Sequence, residues 1–207
     1  MNKMVIFNET SLSEAVERLC QADAQLRFVV ERFGPPPLWA RKPGFPTLVH
    51  IILEQQVSLA SAKACFEKLN TVLPDLKPET FLTLDDERLL QIGFSRQKTR
   101  YCRLLAAAIL DGSLDLHSLN HASDQVVFSQ LTSLTGIGAW TANIYLLMAL
   151  GRPDIWPLGD LALEVALQDL LGLAQRPKGA EFQNLGERWR PHRAVAARIL
   201  WHYYLSP

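Results

Sequence analysis

The stretch Leu131–Asp160, LTSLTGIGAWTANIYLLMALGRPDIWPLGD, decides the reading of this chain. Its pattern is helix, Gly-Ile-Gly turn, helix, a proline-bracketed loop, and a lone aspartate opening another helix. Gly136 and Gly138 permit a tight turn and close backbone approach, so the amides near Gly136, Gly138 and Ala139 can face an anion such as a phosphate. Asp160 follows beside Pro157 and Gly159. An aspartate there has an ordinary explanation, the N-cap of the helical run Leu161–Leu171. It also has a chemical one, a carboxylate set where positive charge develops.

Outward from that block the chain reads as almost all helix. Ser11-Leu-Ser-Glu14 has the form of a capping box. Ala15, Leu19, Ala22, Leu26, Val29 and Val30 follow at helical spacing, and Gly34-Pro-Pro-Pro37 ends that helix in a stiff connector. Pro46 is expected to start a long helix running to about Leu69, with Leu48, Ile51, Ile52, Val57 and Ala60 facing inward. Further helices are expected over 79–91, 97–111, 122–134, 139–150, 160–171, 179–188 and 192–205. The alternation of β-branched residues that marks strands is missing, as are solenoid-spaced repeats and low-complexity tracts.

Composition narrows the function classes. The 207 residues carry 21 basic and 21 acidic side chains, a formal net charge of zero, which argues against a nonspecific polyanion binder. Charge is nonetheless unevenly spread. Arg96, Lys98, Arg100 and Arg103 form a run without an acid. Residues 173–207 hold Arg176, Lys178, Arg188, Arg190, Arg193 and Arg198 against Glu181 and Glu187. Each run reads either as a solvated helix face or as a local phosphate footprint; beside the glycine hairpin, the footprint is the better reading. Cys20, Cys65 and Cys102 are odd in number and far apart, which fits buried thiols in a reducing compartment. They cannot supply the four thiolates of an iron–sulfur cluster. No apolar run is long enough for a membrane span, and the N-terminus lacks the pattern of a secretion signal. The histidines lack metal-like spacing, and neither a Walker loop nor a dinucleotide fingerprint is present.

Three blocks carry a family resemblance: ILEQQVSLASAKACFEKL at 52–69, the hairpin–aspartate block at 131–160, and GERWRPHRAVAARILWHYY at 186–204. Together they resemble the helix-hairpin-helix (HhH-GPD) superfamily of DNA glycosylases, and within it the 3-methyladenine DNA glycosylase II branch in a compact form. The resemblance implies an all-α fold of two helical lobes with an active-site cleft between them. Residues 1–45 and 151–207 would form one lobe, and residues 46–150 the other, with the helix-hairpin-helix at about 131–150. It implies a monofunctional enzyme that hydrolyses the N-glycosidic bond of alkylated purines in duplex DNA.

The same resemblance assigns roles. Asp160 is the catalytic carboxylate, opposing the charge that builds on the sugar. Bifunctional relatives carry a Schiff-base lysine two residues after the second hairpin glycine; here that position is Trp140. Trp140 and Trp201 would line the base pocket, where an indole face attracts a cationic purine; both also suit plain core packing. The pocket tyrosine of bacterial relatives is replaced by Ile144. Gln55, Gln56 and Ser58 match the segment that fills the gap left by a flipped base, with Gln56 as the intercalating side chain. A polar patch on an apolar helix is the alternative. Gly136, Gly138 and Ala139 would hold the DNA strand, and the carbonyls of Thr132, Leu134 and Ile137 could hold a monovalent cation. Thr135 replaces the usual proline before the first glycine.

The expected protein is therefore a monomer with damaged double-stranded DNA as partner, no required cofactor and no membrane association. It would act in the cytoplasm (nucleoid) of a prokaryote or the nucleus of a eukaryote. A noncatalytic helix-hairpin-helix DNA-binding module, or a glycosylase for uracil or oxidised bases, are the competing readings.

Overall fold

The structure is a computed structural model that describes residues 7–206. Among these residues every regular element is helical. Two compact units emerge, one from Met1–Ala40 with Leu146–Pro207 and the other from Arg41–Tyr145. Both boundaries fall five residues before the 45/46 and 150/151 divisions read from the sequence.

The first unit begins with α1 (Glu9–Ala22) and α2 (Ala24–Phe33). The sequence suggested one helix through both. Asp23 breaks it: its carboxylate accepts from the amides of Gln25 and Leu26 at 3.0 and 3.1 Å and so starts a new N-terminus. The capping box also lies earlier than expected. Asn8 is the N-cap and Ser11 its reciprocal partner. After Tyr145 the unit resumes through a π-helical turn (Tyr145–Ala149), then α11 (Leu161–Leu170), α12 (Gly179–Glu187) and α13 (Arg193–Leu205). α13 is the hub of this unit. It packs on α1, α2 and α11, and Ala194 through Trp201 are all buried. Trp156, Phe182 and Trp189 fill the space beside it, with Gly186 giving the Trp156 indole room that a Cβ, 2.7 Å from the ring, would take.

The second unit holds α3 (Phe45–Glu54), α4 (Leu59–Val72), α5 (Pro78–Leu82), α6 (Asp86–Ile92), α7 (Arg96–Leu110), α8 (Leu116–Leu119), α9 (Asp124–Thr132) and α10 (Ala139–Ile144). The long helix expected over 46–69 is two helices. Gln55 turns extended, Gln56 takes φ +56°, and Ser58 caps α4 by accepting from Ser61 N at 3.2 Å. The apolar α3, with Leu48, Val49, Ile51 and Ile52 fully buried, contacts α4, α7 and α10. The helix expected over 79–91 is likewise divided, because Asp85 caps α6.

Candidate active site and nucleic-acid interface

Asp160 stands at the N-cap of α11 and is 6% exposed. One of its oxygens, Oδ1, accepts from Leu163 N at 3.0 Å and from Trp201 Nε1 at 3.1 Å. The cap explanation is thus correct as geometry, and it fixes the carboxylate in place. Two donors from different elements, a helix start and the buried α13, leave this side chain little rotational freedom. The structure therefore brings two predicted site residues, Asp160 and Trp201, into direct contact. Trp201 is 7% exposed, so most of its indole is core. Trp39, which sequence reasoning passed over, stands edge-on to Trp201, with ring centroids 6.5 Å apart at 71°.

The hairpin lies between α9 and α10. Gly136 has φ +96°, and a Cβ there would fall 2.1 Å from Cγ of Tyr101. No side chain can replace its hydrogen without moving that ring or the turn. Gly138 has ordinary extended φ and open space around it; it and Ala139 are exposed. Thr132 Oγ1 bonds to its own helix at Phe128 O, 2.7 Å, and the Leu134 carbonyl accepts from Ile137 N at 3.1 Å. Neutral carbonyls of this turn, at Thr132, Leu134 and Ile137, are the donor type that suits a monovalent cation.

Gln55 sits beside the hairpin rather than projecting away from it. Its amide Nε2 donates to the Gly136 carbonyl and to Thr141 Oγ1, both at 2.9 Å. Gln55 joins the turn after α3 to the hairpin turn. Gln56 and Ser58, in contrast, are exposed. Behind them, Arg41 and Glu54 pair through two bonds of 3.0 and 2.7 Å, and Lys98 Nζ donates to the Leu53 carbonyl at 2.7 Å. A cation at the last carbonyls of α3 is favourable for the helix dipole. Burial nevertheless lowers the Lys98 pKa.

Other expectations change. Ile144 is 2% exposed and belongs to the core of its unit. Trp140 is half-buried on α10. Trp140 and Ile144 belong to the central unit, Asp160 and Trp201 to the terminal one. The basic footprint read from residues 173–207 is largely engaged in ion pairs within the protein. Arg190 and Arg193 pair with Asp154 and Glu187. Arg176 meets Glu164, and Arg188 meets Asp23 while stacking over Trp189. Arg198 is buried against three backbone carbonyls, and burial pulls its pKa down to about 10. In the first run Arg103 is committed to Asp86 and Leu84 O, leaving Arg96 and Arg100 as its exposed members.

An all-helical chain with a glycine hairpin and a capped, buried aspartate has the construction of a helix-hairpin-helix repair protein. The profile of the HhH-GPD superfamily of base excision DNA repair proteins matches residues 49–191, and the chain belongs to that superfamily. It is 26% identical over 214 residues to a putative DNA-3-methyladenine glycosylase, YfjP, of Bacillus subtilis, covering 94% of this chain and 75% of that one. It is 26% identical over 200 residues to the alkylbase DNA glycosidase-like protein mag2 of Schizosaccharomyces pombe, covering 93% and 94%. Among solved structures, the 3-methyladenine DNA glycosylase Mag1 of the same yeast, in complex with abasic DNA, matches with a TM-score of 0.84 and 25% identity over 91% of this chain and 95% of that one.

Proposed function

We propose that this chain is a monofunctional DNA glycosylase that hydrolyses the N-glycosidic bond of alkylated purines, such as 3-methyladenine and 7-methylguanine, in double-stranded DNA, the first step of base excision repair. The observation that carries the reading is the Asp160 carboxylate, buried and held by Leu163 N and Trp201 Nε1. Departure of the base leaves positive charge on the deoxyribose. A prepositioned carboxylate stabilises that charge and can orient the attacking water. Alkylation at N3 or N7 gives the purine a positive charge and makes it a good leaving group, so no protein acid need protonate it. Trp140 occupies the position of the Schiff-base lysine, so water is the nucleophile and the product is an intact abasic site.

Binding is assigned to the central unit. The exposed backbone near Gly138 and Ala139 would bind a phosphate, with Gly136 shaping the turn. Gln56 would fill the space left by the flipped base, and Ser58 would face the same strand region. No cofactor is needed; a monovalent cation on the carbonyls of Thr132, Leu134 and Ile137 would stiffen the hairpin. Among the described residues no helix is long and apolar enough to cross a membrane. The proposed site of action is wherever the cell keeps its DNA. The test is to incubate methylated duplex DNA with the chain and separate the released bases by chromatography. Free 3-methyladenine and 7-methylguanine are expected; release of neither above the no-enzyme control would overturn the reading.

A further inference from the structure

The connector Gly34–Ala40 is held to α13 at both ends. At its start His202 Nε2 donates to the Phe33 carbonyl at 3.0 Å. Toward its end the Arg198 guanidinium, 1% exposed, sends Nε to Leu38 O at 2.9 Å, while Nη1 and Nη2 hold Ala194 O and Leu147 O at 3.0 and 2.9 Å. Pro35, Pro36 and Pro37 stiffen the span between these anchors. The next residue, Trp39, adopts φ +48°, a left-handed conformation that is costly for a bulky L-residue. Such strain persists only where the surroundings impose it, and it concentrates at functional positions. Its result here is specific. The Trp39 ring is brought nearly perpendicular to Trp201, whose Nε1 is bonded to Asp160. Trp39 remains only half-buried, unlike Trp201. An indole placed merely to fill the core could be covered without a left-handed backbone.

We propose that Trp39 is a wall of the base-binding site beside Asp160, where its indole stacks on the cationic purine. The inference rests on the functional reading above and adds a substrate-contacting residue to it. Trp39 offers the accessible ring, and the buried Trp201 behind it links that ring to the carboxylate. A ring held rigidly loses little freedom when a base stacks on it, and a desolvated cation gains from the π face. Arg198 and His202 act as positioning residues, through the backbone on either side.

The experiment compares Trp39→Phe, which keeps an aromatic face, with Trp39→Leu, which keeps apolar bulk without one. Trp39→Gly, which relieves the left-handed backbone, is the third variant. Single-turnover release of 7-methylguanine is measured beside affinity for a duplex carrying a tetrahydrofuran abasic analogue, and beside the thermal midpoint. Release should slow about tenfold in the Leu and Gly variants and less than about threefold in the Phe variant, in line with the strength of a buried cation–π contact. Abasic-analogue affinity should be unchanged in all three, since that ligand has no base to stack. A Leu or Gly variant within twofold of the natural chain would overturn the proposal. Equal slowing by Phe and Leu, accompanied by a lowered midpoint, would also overturn it and make Trp39 a prop for Trp201. If the Leu variant does not fold, the Gly and Phe variants decide by the same criteria. Failure of the natural chain to release any base would overturn the functional reading and this inference with it, whereas normal release with unaffected variants would overturn this inference alone.

Discussion

The unit made from the two ends of the chain and the unit made from its middle spend their polar groups in opposite directions. In the terminal unit the site carboxylate and most of the arginines are tied to partners within the protein. Asp160 binds Trp201 and the α11 start, Trp189 donates to Asp23, and Arg190, Arg193 and Arg198 are consumed by carboxylates and carbonyls. In the central unit Gln56, Ser58, Gly138 and Ala139 are exposed on two turns that Gln55 ties together. A fixed, desolvated carboxylate suits chemistry, and exposed backbone amides suit a phosphate backbone. Net charge would not reveal this division, because most of the terminal unit's arginines are spent on folding. Among the described residues each unit also carries one non-glycine residue at positive φ, Trp39 or Gln56. Such strain costs about 1–3 kcal/mol each, and in each unit it re-aims a side chain that the proposed function uses.

The largest effect should come from Asp160→Asn. Loss of a preorganised charge of this kind slows reactions by about two to three orders of magnitude. Base release should fall by that amount, while affinity for an abasic-analogue duplex stays within about twofold. Single-turnover release and fluorescence anisotropy check both halves. Equal loss of rate and affinity would break the division between the units.

Gly136→Ala should act on the central unit. The new methyl collides with Tyr101, and the backbone conformation is one that alanine resists. A destabilisation of about 2–4 kcal/mol is expected, with weakened DNA binding, read by chemical denaturation and anisotropy. Gly138→Ala, with open space and ordinary φ at that position, should leave stability nearly unchanged and serves as its control.

Gln55→Ala removes one bond to the hairpin turn and one to Thr141 of α10, each worth about 0.5–1.5 kcal/mol. Excision should slow by about tenfold, and hydrogen exchange should rise at the amides of both turns, residues 55–58 and 133–138. Faster exchange at one turn alone would show that Gln55 does not couple them.

Gln56→Ala is expected to have the smallest effect. Unstacking a base costs a few kcal/mol, and filling the gap offsets part of it. Excision should slow severalfold for a paired 7-methylguanine and less for the same lesion opposite a mismatch. The salt slope of binding should not change, because no charge is removed. Equal slowing in both contexts would assign Gln56 to ordinary surface packing.

The hairpin and Asp160 were legible because their local signals, Gly-x-Gly and a capping aspartate after a proline-rich loop, need no distant partner. Helix breaks at Asp23 and at Gln55–Ser58 were not. Apolar periodicity runs through both, and the break is made by side-chain caps and one left-handed glutamine, with neither glycine nor proline to mark it. Ser58, followed three residues later by Ser61, was the available clue. The C-terminal arginines looked like a footprint because Asp23, Asp154 and Glu164 meet them only after folding. Trp39 was invisible for the same reason: it meets Trp201 only after folding, where Arg198 holds the neighbouring Leu38 carbonyl from 160 residues further along the chain.

Hydrolytic removal of an alkylated purine, with water as nucleophile, can be followed on one end-labelled duplex containing a single 7-methylguanine. The duplex is incubated with the natural chain and divided into samples treated with borohydride, mild alkali or neither. An intact strand is expected without treatment, with cleavage at the lesion after alkali and no protein–DNA adduct with borohydride. A trapped adduct or a strand break without alkali would contradict the monofunctional assignment, and an alkali-resistant strand would contradict glycosylase activity itself.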